Sequence, residues 1–390
     1  MSGTNPESGD LGIYIHVPFC KHACPYCDFY KIELRDRPAR ARLEFPAMLA
    51  MELRLLMAEY PDLPARPLST IYFGGGTPST LVPEAVGDLV AELKGAFVSA
   101  DTEITLEANP ENLTPERCAK WRAAGVTRLS IGVQSFAERD LKQLERLHDA
   151  TAIRRAIANA RAAGFGNISI DLMFALPGQS QLDWESNLTQ ALDLAPDHIS
   201  FYGLTYHEDT PFEKWRAERR IAEIDEDSQA DMYLAGAALL EREGFDHYEI
   251  SNFARPGFRS RHNQRYWSRA DVIALGPSAH SNLGALRWHN PPDIDQWGQA
   301  LALGRLPRVP TETLDDRARM EERLFTGLRR RDGFGAKDDA DLYQTLSSWI
   351  LEHRAVEQGW VELSEDRVSL RPEGWLICDA IIASVLKSPV

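Results

Sequence analysis

Three cysteines stand within one eight-residue segment near the start of the chain, in the pattern Cys20-x3-Cys24-x2-Cys27. Thiolates are the usual protein ligands of iron–sulfur clusters. Three of them on one short loop can hold three irons of a cubane, which leaves the fourth iron open to a small molecule carrying an amine and a carboxylate. The spacing therefore predicts an oxygen-sensitive [4Fe–4S] cluster on this loop.

Zinc is the alternative metal for this segment. Structural zinc takes four ligands, and His16 and His22 lie close enough in sequence to complete a Cys3His site. No second ligand pair with zinc-knuckle spacing occurs elsewhere, and a catalytic thiol does not need two companions at this spacing. Cys118 and Cys378 stand alone and are expected to be small buried apolar residues.

A glycine-rich segment, Gly74-Gly75-Gly76-Thr77-Pro78, follows the second β-rich run of the chain. Glycine allows positive φ and lets the backbone approach a ligand closely. The segment lacks the Lys-Ser/Thr of a P-loop and the spacing of a dinucleotide fingerprint. Alone it indicates either a ligand cradle or a plain tight turn.

Four polar side chains are expected at or near strand ends: Glu107, Gln134, Arg146 and Asp171. Ligands of parallel sheets bind beyond the carboxyl ends of the strands. Asp171 lies inside an otherwise apolar strand, where a charge is costly without a partner. Arg146 is expected on a helix, where it could be solvated or could pair with a carboxylate through two hydrogen bonds.

These residues need a scaffold, and the first half of the chain alternates between β-rich and helix-like stretches. The β-rich runs are 12–19, 69–75, 103–109, 128–135, 167–176 and 198–206, and the helix-like stretches are 42–60, 83–97, 115–124, 138–163 and 181–194. The alternation predicts an α/β fold with a parallel sheet, and some strands are read as continuously apolar because helices cover the sheet. The pattern alone does not choose between a partial barrel and an open doubly wound sheet.

The regular alternation of β-rich and helix-like stretches ends at about residue 210. A helix near 226–243 precedes a mixed stretch, prolines mark a looser connection around 291–311, and the segment 312–390 carries helices, a hairpin at 359–370 and an amphipathic helix at 372–386. We expect three regions: 1–215 with the cluster loop, an accessory α/β region at 216–310, and a small C-terminal helical, winged-helix-like domain at 311–390.

The bulk composition limits the partners. The chain has 390 residues, 44% hydrophobic and 26% charged, with a formal net charge of −15. Nucleic-acid binders usually show a basic face, so no nucleic-acid partner is expected. The polar, acidic N-terminus does not look like a secretory signal, which favours a cytoplasmic location. No basic amphipathic segment demands more than transient membrane contact, and a homodimer is one option for the oligomeric state.

The cluster loop, with Tyr14-x-His16-x-Pro18-Phe19 ahead of it, resembles that of the radical S-adenosylmethionine (SAM) superfamily, and more particularly the oxygen-independent coproporphyrinogen oxidase group. The similarity covers nearly the whole chain and is strongest from 12 to 210. It implies a partial (β/α)6 barrel that binds SAM at the cluster, where one electron cleaves the sulfonium to a 5′-deoxyadenosyl radical. The positions that resemble SAM contacts are Tyr14, Tyr26, Gly75, Gly76, Thr77, Glu107, Gln134, Arg146, Asp171 and Thr205.

Two features depart from the oxidase pattern. The oxidases carry one more cysteine two positions after the third, where this chain has Phe29, and they have a substantial N-terminal extension, whereas about a dozen residues precede the first strand here. A third feature, HNxxYW at 262–267, resembles the mark of the haem-chaperone branch of the family. Because imidazole is a common axial ligand of haem iron, His262 is the predicted haem contact, with support from Tyr266 and Trp267.

Alternatives stay open both for the haem-binding residues and for the function of the protein. Taken without the resemblance, His262 reads as a core histidine beside packed aromatics, and His207 and His280 are other histidines that could reach an iron. The leading functional hypothesis is a haem chaperone that binds haem and passes it to acceptor haemoproteins, respiratory ones among them. The alternatives are a coproporphyrinogen III oxidase and a structural zinc protein.

Overall fold

The computed structural model describes residues 9–98, 100–364 and 366–387. The interpretation of the N-terminus as no secretory signal falls largely on residues 1–8, which lie outside the described residues. No helix among the residues described is long and apolar enough to cross a membrane.

Seventeen strands are assigned in this part of the chain. They are β1 (Leu11–Val17), β2 (Phe19–Cys20), β3 (Ile32–Glu33), β4 (Leu68–Gly75), β5 (Glu103–Ala108), β6 (Arg128–Gln134), β7 (Ile168–Phe174), β8 (His198–Gly203), β9 (Asp246–Glu249), β10 (Asn252–Ala254), β11 (Val272–Leu275), β12 (His280–Leu283), β13 (Leu286–His289), β14 (Glu312–Thr313), β15 (Phe334–Gly335), β16 (Val361–Leu363) and β17 (Arg367–Leu370).

Fourteen α-helices accompany the strands over the same described ranges. They are α1 (Ala39–Glu59), α2 (Pro83–Ala96), α3 (Pro115–Ala123), α4 (Glu138–Gln143), α5 (Ala150–Ala162), α6 (Gln181–Leu192), α7 (Pro211–Ala217), α8 (Glu226–Arg242), α9 (Arg261–Ser268), α10 (Ile294–Ala302), α11 (Asp316–Gly327), α12 (Ala340–Glu352), α13 (Pro372–Leu376) and α14 (Cys378–Val385).

One large sheet carries the fold, with the strand order β14-β13-β12-β11-β1-β4-β5-β6-β7-β8-β10-β9. The six strands β1 and β4 to β8 run parallel, each joined to the next by a helical connection. This is the expected partial (β/α)6 barrel. The later strand β11 extends it by pairing in parallel with β1, and antiparallel strands follow on both sides.

The barrel strands alternate between an apolar outer face and a polar inner face. Ile13, Ile71 and Ile104 are in register and fully buried under the helices. The next register row holds Tyr14, Tyr72, Thr105 and Arg128. The expectation that some of these strands are continuously apolar is therefore wrong for the barrel, because alternate residues face an interior that holds polar groups.

Three expected segments are interrupted. The helix-like stretch 138–163 divides into α4 and α5, because Glu145 adopts a left-handed φ of 53° and Asp149 caps the start of α5. Arg146 therefore lies in a loop and not on a helix, which corrects the sequence prediction. The looser connection at 291–311 contains α10, and the stretch 372–386 divides into α13 and α14 at Ile377.

The C-terminal region combines α11 to α14 with a small sheet of order β15-β17-β16, and the predicted hairpin is the antiparallel pair β16–β17. It joins the large sheet through backbone hydrogen bonds, one of them from Ile250 N to Arg329 O at 3.0 Å. Trp375 also packs edge-on against His247. Cys118 and Cys378 are buried as expected.

Candidate functional site

A cavity of about 490 Å³ lies inside the barrel toward the carboxyl ends of its strands. Most of the predicted cofactor residues line it together: Cys20, Cys24, Tyr26, Cys27, Gly75, Gly76, Thr77, Glu107, Gln134, Arg146, Asp171 and Thr205. Residues separated by up to 185 positions in sequence therefore share one chamber. Tyr14 does not line it, and its ring lies deeper, 6.1 Å from the ring of Tyr72.

The cluster loop follows β1 and is closed at its base by the short parallel pair β2–β3. Cys20 is buried, whereas Cys24 and Cys27 are half-buried beside the cavity. Burial raises the pKa of the Cys20 thiol to about 11, although Thr77 Oγ1 donates a hydrogen bond to its sulfur at 3.4 Å. Since metal ligation requires thiolates, loading this loop with iron would release protons.

The glycine-rich segment lies directly against the cluster loop. Gly76 N donates to Val17 O at 2.8 Å and Thr77 N donates to Phe19 O at 2.9 Å. Gly75 has a φ of +104°, and a Cβ on Gly76 would approach the Pro18 carbonyl to 2.8 Å. Glycine is required here both for conformation and for close approach, so the segment is more than a plain turn.

Arg146 reaches the cavity from the loop between α4 and α5. Its Nη2 donates to Asn109 Oδ1 at 2.6 Å and to Gly132 O at 2.8 Å, and its Nη1 lies 3.4 Å from Cys24 Sγ. Its Nε is buried and has no hydrogen-bond partner among the described residues. The Nη2 hydrogen bonds fix the orientation of the guanidinium, and its Nε remains available as a donor. Such a group suits a carboxylate ligand.

Glu107 is half-buried in the cavity wall, on β5 between β4 and β6. It accepts a hydrogen bond from Tyr72 Oη at 2.8 Å. Burial raises the pKa of Glu107 to about 7, with Asp171 adding to the effect and the hydrogen bonds from Tyr72 and the Gly75 backbone opposing it. The carboxyl is thus poised to accept hydrogen bonds from an ammonium or from hydroxyl groups near neutral pH.

Asp171 and Gln134 occupy the neighbouring strands. Ser130 Oγ donates to both carboxylate oxygens of Asp171 at 3.1 Å, and Ser169 Oγ lies 3.3 Å from one of them. Burial nevertheless raises the pKa of Asp171. Gln134 has a left-handed φ of 67° at a register shift in β6, a strained conformation of the kind that proteins keep at ligand sites.

The histidines near the cluster loop already have partners. His22 Nε2 lies 2.9 Å from Glu145 Oε2, and His16 Nε2 lies 2.9 Å from the Tyr30 carbonyl oxygen. Within the described ranges, no three His, Cys, Asp or Glu side chains are arranged around one point to hold a single metal ion. A cubane has a separate iron for each thiolate, so the cysteine sulfurs need not converge.

The HNxxYW motif forms α9, which lies at the other end of the barrel interior. His262 is buried, with Nδ1 2.8 Å from Thr70 Oγ1 and Nε2 3.2 Å from Tyr266 Oη. Burial, with Arg265 and Arg128 adding to it, lowers the pKa of His262 to about 3, so the imidazole is neutral. Its ring stacks on Tyr72 with centroids 4.9 Å apart.

The remaining haem candidates are dispersed. Trp267 is half-buried at the end of α9. His207 lines the cavity and pairs with Asp28 at 3.3 Å. His280 is exposed and stacks on His289, with ring centroids 4.9 Å apart. The structure does not bring these histidines together with His262.

Comparison with known proteins identifies the family. Residues 14–190 match the model of the radical SAM superfamily, and residues 314–377 match that of the HemN C-terminal domain. The chain is 34% identical to the heme chaperone HemW of Bacillus subtilis over 381 residues, which are 96% of this chain and 98% of the relative. This chain belongs to the HemW family of radical SAM proteins. The heme chaperone HemW of Escherichia coli is 36% identical over 70% of each chain.

A solved structure extends the likeness to the fold. The coproporphyrinogen III oxidase HemN of Escherichia coli, described as a radical SAM enzyme, superposes with a TM-score of 0.80 over 96% of this chain and 89% of its own, at 24% sequence identity. At that identity the match concerns architecture. The HemW-family chain therefore shares with HemN both the radical SAM barrel and the C-terminal region.

Part of the cavity wall of this HemW-family chain was not predicted from the sequence. Tyr72, Asn109, Arg128, Ser130, Ser200 and Tyr202 also line the chamber. The available signal was the period-two alternation in the strands, as in Arg128-Leu129-Ser130-Ile131, in which each polar residue is followed by an apolar one. Arg128 is 1% exposed, and its Nε has no hydrogen-bond partner in the described part of the chain.

Proposed function

We propose that this protein is a haem chaperone that binds haem and delivers it to acceptor haemoproteins, and that it carries a [4Fe–4S] cluster and a SAM site. The observation that carries the proposal is the relationship to the heme chaperone HemW of Bacillus subtilis along nearly the whole of both chains. We also propose that this protein is cytoplasmic and that respiratory haemoproteins are among its acceptors.

The cavity supports the cofactor part of the proposal. Cys20, Cys24 and Cys27 would hold the cluster, and Gly75 to Thr77 would border the ligand on its open iron. When bound and reduced, the cluster supplies one electron to the sulfonium of SAM. The chain binds and orients the ligand: Arg146 offers its unpartnered Nε to the carboxylate, and the acids offer hydrogen-bond acceptors.

Phe29 favours the haem-chaperone function over the coproporphyrinogen oxidase function. It stands where the oxidases have a further cysteine, and its side chain is 62% exposed beside the cavity. An exposed aromatic ring on the cluster loop offers apolar surface to a flat macrocycle, whereas a thiol at that position could add chemistry. A coproporphyrinogen III oxidase is therefore the second candidate and the contrasting arm of the test.

The test uses the full chain, purified and reconstituted without oxygen. Titration with haem should give a Soret spectrum that saturates near one haem per chain, and mixing with an apo-haemoprotein made in haem-free cells should move the haem to it. Incubation with SAM, a reductant and coproporphyrinogen III should yield no protoporphyrinogen. Turnover of coproporphyrinogen without stable haem binding would contradict the chaperone assignment.

The haem contacts are proposed at His262, Tyr266 and Trp267. His262→Ala should lower the haem stoichiometry if this imidazole meets the iron. Because His262 is hydrogen-bonded to Thr70 and buried, ligation would require α9 to move away from the barrel. Unchanged haem binding by His262→Ala, with the wild-type chain binding haem, would remove the residue assignment and leave the chaperone function standing.

A further inference from the structure

The helix α9 lies against the amino ends of the barrel strands, opposite the cluster loop. Glu103, the first residue of β5, accepts hydrogen bonds from the backbone N–H groups of Arg261 and His262 at 3.0 and 3.3 Å. Arg265 donates to Ser69 Oγ at 2.7 Å. The helix therefore closes the end of the barrel interior opposite the cluster loop, and we call it the floor of this interior. The cofactor cavity lies above it.

A chain of three contacts leads from this floor to the glycine-rich segment. The His262 ring supports the Tyr72 ring, with centroids 4.9 Å apart at an interplanar angle of 26°. Tyr72 Oη donates to Glu107 Oε1 at 2.8 Å. Glu107 in turn lies so close to the glycine-rich segment that a Cβ on Gly74 would come within 3.1 Å of Oε1.

We infer that His262 is a positioning residue for the SAM site: it holds the Tyr72 ring in place, and Tyr72 holds Glu107. The inference rests on the proposed function for the SAM site, and it assigns the first residue of the HNxxYW motif a role toward that site that needs no contact with haem. A neutral, doubly hydrogen-bonded imidazole suits this supporting role.

The positioning role of His262 can be measured through the pKa of Glu107, which controls how SAM binding depends on pH. The charged and titratable groups that face Glu107 come from six elements: Tyr14 of β1, Tyr72 of β4, Arg128 of β6, Asp171 of β7, Tyr202 of β8 and Tyr266 of α9. The Tyr72 hydroxyl is the side chain that hydrogen-bonds Glu107 directly, so its loss or displacement would raise the pKa of Glu107. Less of the carboxyl would then be ionised at pH 7, and SAM would bind more weakly there than at higher pH.

The experiment measures SAM affinity by equilibrium dialysis with the anaerobically reconstituted full chain from pH 6 to 9. Tyr72→Phe and His262→Ala should each weaken binding at pH 7 by about tenfold, the loss expected for one hydrogen bond to a charged group, and should regain most of it at pH 9. His262→Phe, which keeps a ring under Tyr72, should lose less. The double variant Tyr72→Phe/His262→Ala should be no weaker than Tyr72→Phe, because both changes act on one contact.

The matched control is His247→Phe. His247 is another buried imidazole, 3.9 Å from the ring of Phe253 and outside the cavity lining, so its replacement should leave SAM affinity unchanged. Additive losses in the double variant, or His262→Ala with wild-type affinity and pH dependence, would overturn the inference and leave the SAM site intact. Failure of the wild-type chain to bind SAM would overturn the proposed site together with it. Should His262→Ala not fold, His262→Leu, which fills the space without an aromatic ring under Tyr72, takes its place alone and in the double variant.

Discussion

At the scale of single residues, the space between two backbone segments determines which residue fits at the junction of the cluster loop and the glycine-rich segment. Side-chain chemistry matters less there. A Cβ on Gly76 would meet the Pro18 carbonyl carbon and oxygen at 2.8 Å and the Val17 oxygen at 2.9 Å. These are backbone atoms that cannot rotate away. The hydrogen bond from Gly76 N to Val17 O depends on the same approach.

Gly76→Ala should therefore force the two segments apart and disrupt the cluster site more than it disrupts the fold. The expected result is a clear loss of iron and acid-labile sulfide per chain after anaerobic reconstitution, with SAM binding lost in parallel. Gly95→Ala is the control, since Gly95 lies in α2 and its added Cβ meets nothing within 4 Å. That helical change should stabilise the chain by roughly 0.5–1 kcal/mol. A Gly76→Ala protein with full iron and sulfide would refute the steric argument.

At the scale of elements, the short helix α4 positions the loop that carries Arg146. Asp140 is fully buried in this helix and accepts hydrogen bonds from Ser135 Oγ at 2.9 Å and Gln179 Nε2 at 3.3 Å. The chain then turns at Glu145, which has a positive φ. The sequence pattern predicted one continuous helix here, because the residues of the turn are good helix formers and Gln179, one of the buried partners of Asp140, lies 39 positions away.

Asp140→Ala should both destabilise the protein and loosen the Arg146 loop. It removes the buried acceptor of the Gln179 amide and one of the two acceptors of the Ser135 hydroxyl, the other being Asn187 Oδ1. We therefore expect a loss of about 2–4 kcal/mol in unfolding free energy together with weaker SAM binding. Ser180→Ala, which removes the cap of α6, should cost about 1 kcal/mol and leave SAM affinity unchanged. Equal effects of the two variants on SAM affinity would show that α4 does not position the loop.

At the scale of the whole molecule, the barrel is apolar on its outer face and polar on its inner face. The residues of the outer face are easier to predict from the sequence than those of the inner face. The six strands, the cysteine triplet and the strand-end acids were predictable because each rests on local spacing or on a family motif. The position of α9 under the barrel was not, because the contact between Thr70 and His262 joins residues 192 positions apart and no local pattern encodes it. The interior face was readable only in the strand alternation.

The buried acids of this interior and its surroundings give the molecule a pH-dependent stability. Burial raises the pKa of Glu52 and Glu107 to about 7 and that of Glu249 to about 8. A raised carboxyl pKa means that the native state binds more protons than the unfolded state, so stability falls as pH rises toward the native value. Buried histidines such as His247 and His262, with pKa lowered to about 3, act in the opposite sense, but only below the unfolded histidine pKa of about 6.5.

Between pH 7 and 8 the carboxyl effect should therefore stand alone, and the unfolding free energy should fall by about 1 kcal/mol through Glu249. Glu249 is 1% exposed and accepts hydrogen bonds from Ser251 N and the Asn252 amide, so Glu249→Gln keeps its shape in the uncharged form. Urea unfolding of the apo chain at pH 7 and 8 should show this decline in the wild type and a flatter dependence in Glu249→Gln. Glu116→Gln, on an exposed side chain, should keep the wild-type slope. A decline of equal size in Glu249→Gln would place the titrating group elsewhere, because the substitution removes the only proton that Glu249 can exchange.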